Sequence, residues 1–244
     1  MPQIGKPHPI LSKLSFEDKK RLYEYLAPMC PENKLELFEK NVNLRTRHIT
    51  VVLEDVEHPH NGSAVLRSCD CFGIQEMHFI EKEYRFKVSV GPAAGSDKWV
   101  NYKKYSKSYE NPTRACLEDL KAKGYRIIAT TPHEKDCMVA DLDVSEKTAF
   151  VFGTERTGIS DDVREMADGF VKLPMYGFAE SYNISVCAAL VLYDATERMR
   201  KNPEIEWQLS EEEKMDVCFE WQRLVLKRYE LLLPYAVEQL GLEI

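Results

Sequence analysis

The 244 residues predict an α/β protein whose sheet is mainly parallel and flanked by helices. Three observations carry that prediction. Short apolar, β-branched runs alternate with segments of helical period. Several helical segments begin at Asn or Ser and end at Gly. Two polar turns bearing glycine follow directly on apolar strands, the place where α/β sheets gather their ligands. Helical additions are expected at both ends, giving an N-terminal extension over 1–44, an α/β domain over 45–202 and an acidic C-terminal extension over 203–244.

Taken in order, charged amphipathic stretches over 15–26 and 32–40 read as helices, and the run HITVVLEDV from His48 as a buried strand. The segment NGSAVLRSCDCFG reads as a helix, with Asn61 near its N-cap and Gly73 just past its end. MHFI over 77–80 reads as a second strand, 112–123 as a helix begun by Asn111 and stopped by Gly124, and YRIIAT from Tyr125 as a third strand. Thr148 to Phe152 and Phe170 to Leu173 add two more strands, and 183–200 a long helix. The first half of that helix is apolar nearly all round, so it must be buried on more than one side, in a deep core or at a subunit interface. After Pro203, Ser210-Glu-Glu-Glu-Lys opens an acidic helix expected to run through Trp221 and Leu231 to Pro234.

Composition narrows the class. The formal net charge is −7, yet 203–244 hold 10 acidic and 4 basic side chains, so most of the excess sits in that segment. Residues 81–107 instead hold seven basic and three acidic side chains, interleaved with Tyr84, Phe86, Trp99, Tyr102 and Tyr105. Such a patch suits a phosphate backbone, or else is a solvated surface with its aromatics turned inward. No apolar run approaches the ~18 residues of a membrane span, and the start MPQIGKPHPILSK lacks a signal-peptide core, so a cytoplasmic location is expected. Seven scattered cysteines without a C-x-x-C argue for free thiols, and His58-Pro59-His60 for a turn; no metal is expected.

Only 11 residues are glycine, yet Gly153, Gly158, Gly169 and Gly177 fall within one stretch, 148–190. The backbone is bent there where something approaches it. The turn GTERTGIS after TAFVF has the spacing of a phosphate-binding P-loop, but Ile159 stands where that loop needs lysine, and Glu155 would repel a polyphosphate. Nucleotide triphosphate hydrolysis is set aside on that ground.

Three stretches in order resemble the SPOUT methyltransferases, in their TrmH-like RNA ribose 2′-O-methyltransferase branch. They are LEDVEHPHNGSAVLR, from Leu53 to Arg67; FGTERTG, from Phe152 to Gly158; and LPMYGFAESYNISV, from Leu173 to Val186. GPAAGSDKWV over 91–100 is similar to the tRNA-modifying members, and Tyr182 departs from the leucine more usual there.

The resemblance covers about 44–200 and implies a SPOUT fold with a C-terminal trefoil knot, a homodimer, and S-adenosylmethionine as methyl donor. It implies Arg67 as the catalytic arginine, with Asn61, Glu155, Ser181 and Asn183 in the active site. Main-chain groups around Thr130, Gly153, Leu173, Met175 and Tyr182 would hold the cofactor, since backbone donors and acceptors satisfy adenine well. Asn61, Ser181 and Asn183 read equally as helix caps. Arg45, Arg47, Arg198 and Arg200 are expected to flank the site and contact RNA. The implied activity is 2′-O-methylation of a guanosine in tRNA, guanosine 18 of the D-loop. Ribosomal RNA, another tRNA position, or a non-catalytic RNA-binding paralogue are the alternatives.

Overall fold

The computed structural model describes residues 8–131, 137–154 and 156–243. The chain divides into two compact units, Thr46–Trp207 and a second formed by Met1–Arg45 with Gln208–Ile244.

The first unit is built on a seven-stranded parallel sheet of β1 (Ile49–Glu54), β2 (Glu76–Ile80), β3 (Asn101–Tyr105), β4 (Arg126–Thr130), β5 (Cys137–Met138), β6 (Thr148–Phe152) and β7 (Gly169–Lys172). Its order is β3-β2-β1-β6-β4-β7-β5. Both faces are covered, which is why the central strands β1 and β6 are buried along their whole length rather than alternating. On one face Val51, Leu53, Phe79, Phe150 and Phe152 meet α3 (Pro59–Cys71) and α7 (Ile184–Lys201) through Val65, Leu66, Ala188 and Leu192. On the other, Val52, Ile127, Ala149 and Val151 meet α5 (Pro112–Ala122) and α6 (Asp161–Met166) through Leu117, Leu120 and Val163. A short α4 (Val90–Ala93) packs against α3.

The boundaries of α5 follow the expected signals: Asn111 accepts from the Arg114 N–H, and Gly124 has φ +80°. Asn61 does not cap α3. His58 occupies that position, Pro59 follows it, and Asn61 lies inside the first turn, because proline at the first helical position moves the cap three residues earlier. Strand β3 lies inside the basic stretch and is an addition to the sequence reading. Its Lys103 and Lys104 are on the exposed edge of the sheet while Asn101 and Tyr105 are buried, a pattern too polar to read as a strand.

The second unit packs α1 (Phe16–Leu26) and α2 (Glu32–Val42) with α8 (Glu211–Val225) and α9 (Tyr229–Gln239) around Leu22, Leu26, Phe219 and Leu233. Its two chain segments meet in one core rather than forming separate extensions. Ser210 and Glu213 make a reciprocal capping box at the start of α8. The helix expected to reach Pro234 is interrupted: Leu226 is extended and Arg228 takes φ 60°, which turns α9 so that Tyr229, Leu233 and Ala236 enter the core. Residues 203–207 belong to the sheet unit, where Ile205 is in the core and the Trp207 carbonyl accepts from the Thr46 hydroxyl.

Candidate functional site

Register places the site. Leu53, Phe152, Thr130 and Val171 are neighbours across β1, β6, β4 and β7, so four strands end in one row. The residues just beyond that row carry the chemistry.

Gly153 turns the chain out of β6 into a closed loop. The Thr154 N–H donates to the Gly158 carbonyl at 2.9 Å and the Gly158 N–H returns to Thr154 at 3.1 Å, while the Thr157 N–H caps on the Thr154 hydroxyl at 3.0 Å. Gly158 has φ +69°, and a Cβ on Gly153 would overlap the backbone of Gly158 and Ile159. The two glycines are therefore required by this loop's own closure. Its far end is held by Glu54, which is 2% exposed. That carboxylate accepts from the Ser160 hydroxyl at 2.7 Å and N–H at 3.0 Å, from the Thr113 hydroxyl at 2.8 Å, and from Lys82 Nζ at 3.0 Å. A buried carboxylate with four charge-assisted hydrogen bonds from three residues is a rigid tie between the ends of β1 and β6.

The loop after β7 is closed differently. The Tyr182 hydroxyl donates to the Pro174 carbonyl at 3.0 Å, so the tyrosine at this position ties the turn back on itself. Asn183 then caps α7, its Oδ1 accepting from the Ser185 N–H at 2.9 Å and hydroxyl at 2.6 Å. Its Nδ2 donates to Asn61 Oδ1 at 3.3 Å. One side chain thus starts the last helix and joins it to the first turn of α3.

Between the two loops lies a cavity of about 310 Å³, within the range of small-molecule sites. All five residues expected to hold the cofactor, Thr130, Gly153, Leu173, Met175 and Tyr182, line it, as does Ser181. Its apolar wall is Ile184, Cys187 and Val191 of α7. Burial pushes the Cys187 thiol up to about 11, so it stays protonated and serves as wall rather than nucleophile. Arg164 on α6, Lys172 at the end of β7 and Cys187 on the inner side of α7 also line it and were not anticipated. The bare backbone at Gly153, the apolar wall and the polar rim fit a bent nucleoside with a charged tail.

Not every expected residue comes to this cavity. Arg67 is exposed on α3, two turns beyond Asn61, and has no hydrogen bond or ion pair among the described residues. Glu155 lies outside the described residues. Of the arginines expected to flank the site, Arg47, Arg198 and Arg200 do not do so within one chain. Arg198 binds Asp194 and the Leu142 and Val139 carbonyls, and Arg200 donates to the Phe72 carbonyl with its guanidinium over Trp207. Both close α7 at its C-terminal end, about 25 Å along the axis from Asn183. Arg47 precedes β1 and pairs with Glu76, and Arg45 is buried over the Trp221 ring. Arginine at a helix or strand end is as easily consumed by unpaired carbonyls as by phosphate.

A parallel sheet wound on both faces, with a cavity at the carboxyl ends of its strands and a helix start beside it, defines an α/β protein with room for a small molecule at that end. Within that class the chain belongs to the SpoU rRNA Methylase family, whose profile matches residues 48–193. It is 37% identical over 207 residues to the tRNA (guanosine(18)-2′-O)-methyltransferase of Borreliella burgdorferi, covering 85% of this chain and 92% of that one. The enzyme of the same description from Escherichia coli K12 is 32% identical, with 80% and 86% covered. The fold superposes on the crystal structure of the Aquifex aeolicus TrmH/SpoU tRNA-modifying enzyme with a TM-score of 0.71 at 30% identity, covering 81% of this chain and 98% of that one.

Proposed function

We propose that the protein transfers a methyl group from S-adenosylmethionine to the ribose 2′-hydroxyl of guanosine 18 in tRNA. The observation that carries the reading is the agreement between relatives of that activity, matched over nearly their whole length, and a cavity lined by every residue expected to hold the cofactor. The cofactor supplies the electrophilic methyl. The chain's own part is to hold the ribose in line. Asn61 and Asn183, joined beside the cavity, face the sugar, Ser181 lies on the rim, and Arg67, without a hydrogen bond or ion pair among the described residues, forks onto the substrate's phosphate. The trefoil knot implied by the resemblance is supported by strand order, since β6 enters between β1 and β4 and β7 between β4 and β5 after the edge strand β5 is in place.

Incubation with unmodified tRNA and methyl-labelled cofactor is expected to label guanosine 18, and a tRNA lacking that 2′-hydroxyl to take up nothing. Label in ribosomal RNA or at another nucleotide would replace this substrate with one of the alternatives. No uptake of cofactor by folded protein in calorimetry would end the reading.

We further propose a homodimer through α7. Val186, Leu190 and Tyr193 recur at i, i+4 and i+7 and are 47%, 42% and 58% exposed, an apolar stripe opposite the buried face of the same helix, with the Tyr193 ring beside Phe72. Leu190→Glu is expected to halve the mass measured by light scattering without lowering Tm by more than a few degrees. A wild-type protein that is monomeric at micromolar concentration would refute the interface.

A further inference from the structure

The connection from β2 to α4 is held more firmly than a surface loop requires. Asp55 takes φ 49°, a left-handed conformation unfavourable to a residue with a Cβ. In it, Oδ1 receives three successive N–H groups, from Lys82 at 2.9 Å, Glu83 at 2.8 Å and Tyr84 at 2.9 Å. Glu81 Oε1 takes the Phe86 N–H at 3.0 Å, and Ser63 Oγ takes the Ser89 N–H at 2.8 Å. The Phe86 ring stacks on Phe79 with centroids 3.7 Å apart, in a space open only because residue 62 is glycine: a Cβ there would stand 2.8 Å from the ring. Residues 82–89 are thus pinned along their length.

What the pinned loop leaves outward is Tyr84, Arg85 and Lys87. Tyr84 is 36% exposed, and Arg85 and Lys87 are exposed with no ion pair or hydrogen bond among the described residues. Three other cations of the basic stretch are engaged, Lys82 with Glu54, Lys103 with Asp119 and Lys104 with Glu81. Phe86 and Tyr105 are core. The exposed acid within 82–89 is Glu83, so the loop's outward face is net positive. Its position is specific too. It leaves β2 at the carboxyl end of the sheet, the end that carries the cavity, and it meets α3 at Gly62 and Ser63, beside Asn61, whose side chain reaches Asn183.

We propose that 84–87 is a landing for the RNA strand next to the methylated nucleotide, with Arg85 and Lys87 on successive phosphates and the Tyr84 ring stacked on an unpaired base. This rests on the RNA-methylation reading and adds the surface that seats the flanking strand. A ring beside two cations on a fixed backbone suits single-stranded RNA, where bases are splayed and stacking tolerates any sequence. Fixing the loop in advance removes ordering entropy from the encounter.

The experiment compares wild type with Arg85→Ala/Lys87→Ala and with Tyr84→Ala, measuring tRNA affinity between 50 and 200 mM salt, cofactor affinity by calorimetry, and Tm. The double variant is expected to bind tRNA about tenfold more weakly, with the slope of log K against log salt reduced by about 1.4 to 1.8. Tyr84→Ala is expected to weaken binding at unchanged slope. Cofactor affinity and Tm should stay as in wild type, because none of the three side chains is buried. A wild type that methylates tRNA while the double variant binds it equally, with the same salt slope, overturns the landing alone. A wild type that does not bind tRNA overturns the functional reading and the landing with it.

Discussion

Arg67→Lys is expected to lower kcat by about a hundredfold or more, with cofactor affinity and Tm unchanged. Lysine keeps the charge but loses the planar fork that can hold a phosphate at two points, and in-line transfer to a hydroxyl depends on that geometry. Arginine has five donors and no acceptor, so it does not itself take the hydroxyl proton; the phosphate it holds, or water, must do so. The side chain is exposed and without partners among the described residues, so its replacement touches no packing and should stay within about 0.5 kcal/mol in stability. Single-turnover rates with saturating cofactor and tRNA check the claim. A lysine variant as fast as wild type would remove the fork from the mechanism.

Gly153→Ala should cost most in cofactor binding. The added Cβ would occupy the backbone of Gly158 and Ile159, which no rotamer change can relieve, so the loop must open and give up its two Thr154–Gly158 hydrogen bonds. A loss of about 3 kcal/mol of local stability is expected, and since the same loop lines the cavity, cofactor Kd should rise about a hundredfold. Gly177→Ala is the control: it lies in the neighbouring loop, and a Cβ there meets nothing within 4 Å. If Gly153→Ala binds cofactor as tightly as Gly177→Ala does, the 153–158 loop is not part of the cofactor site.

Much of this site is legible in the chain because its residues signal locally. Asn183 stands before an apolar helix and caps it, and Gly153 and Gly158 stand where a strand must fold back sharply. Other roles have no local signal. Glu54 reads as the last residue of an apolar strand, and nothing nearby in sequence announces Ser160, 106 positions away, as its partner. The arginines fail for the complementary reason: Arg198 and Arg200 look available in sequence, but Leu142, Val139 and Phe72 carbonyls brought up by folding engage them. The aromatics of the basic stretch likewise divide only on folding, Phe86 and Tyr105 inward and Tyr84 outward.

Periodicity and the residues that start and stop elements are enough to establish the alternation of strand and helix, the parallel sheet and the end of it where the cavity lies, because these depend on neighbours within a few positions along the chain. Strand order does not. The insertion of β6 between β1 and β4, the meeting of Asn61 with Asn183 and the union of the two chain ends in one helical core are set by contacts between distant segments. Their energy comes from apolar faces and buried polar groups that find partners only once the sheet has closed.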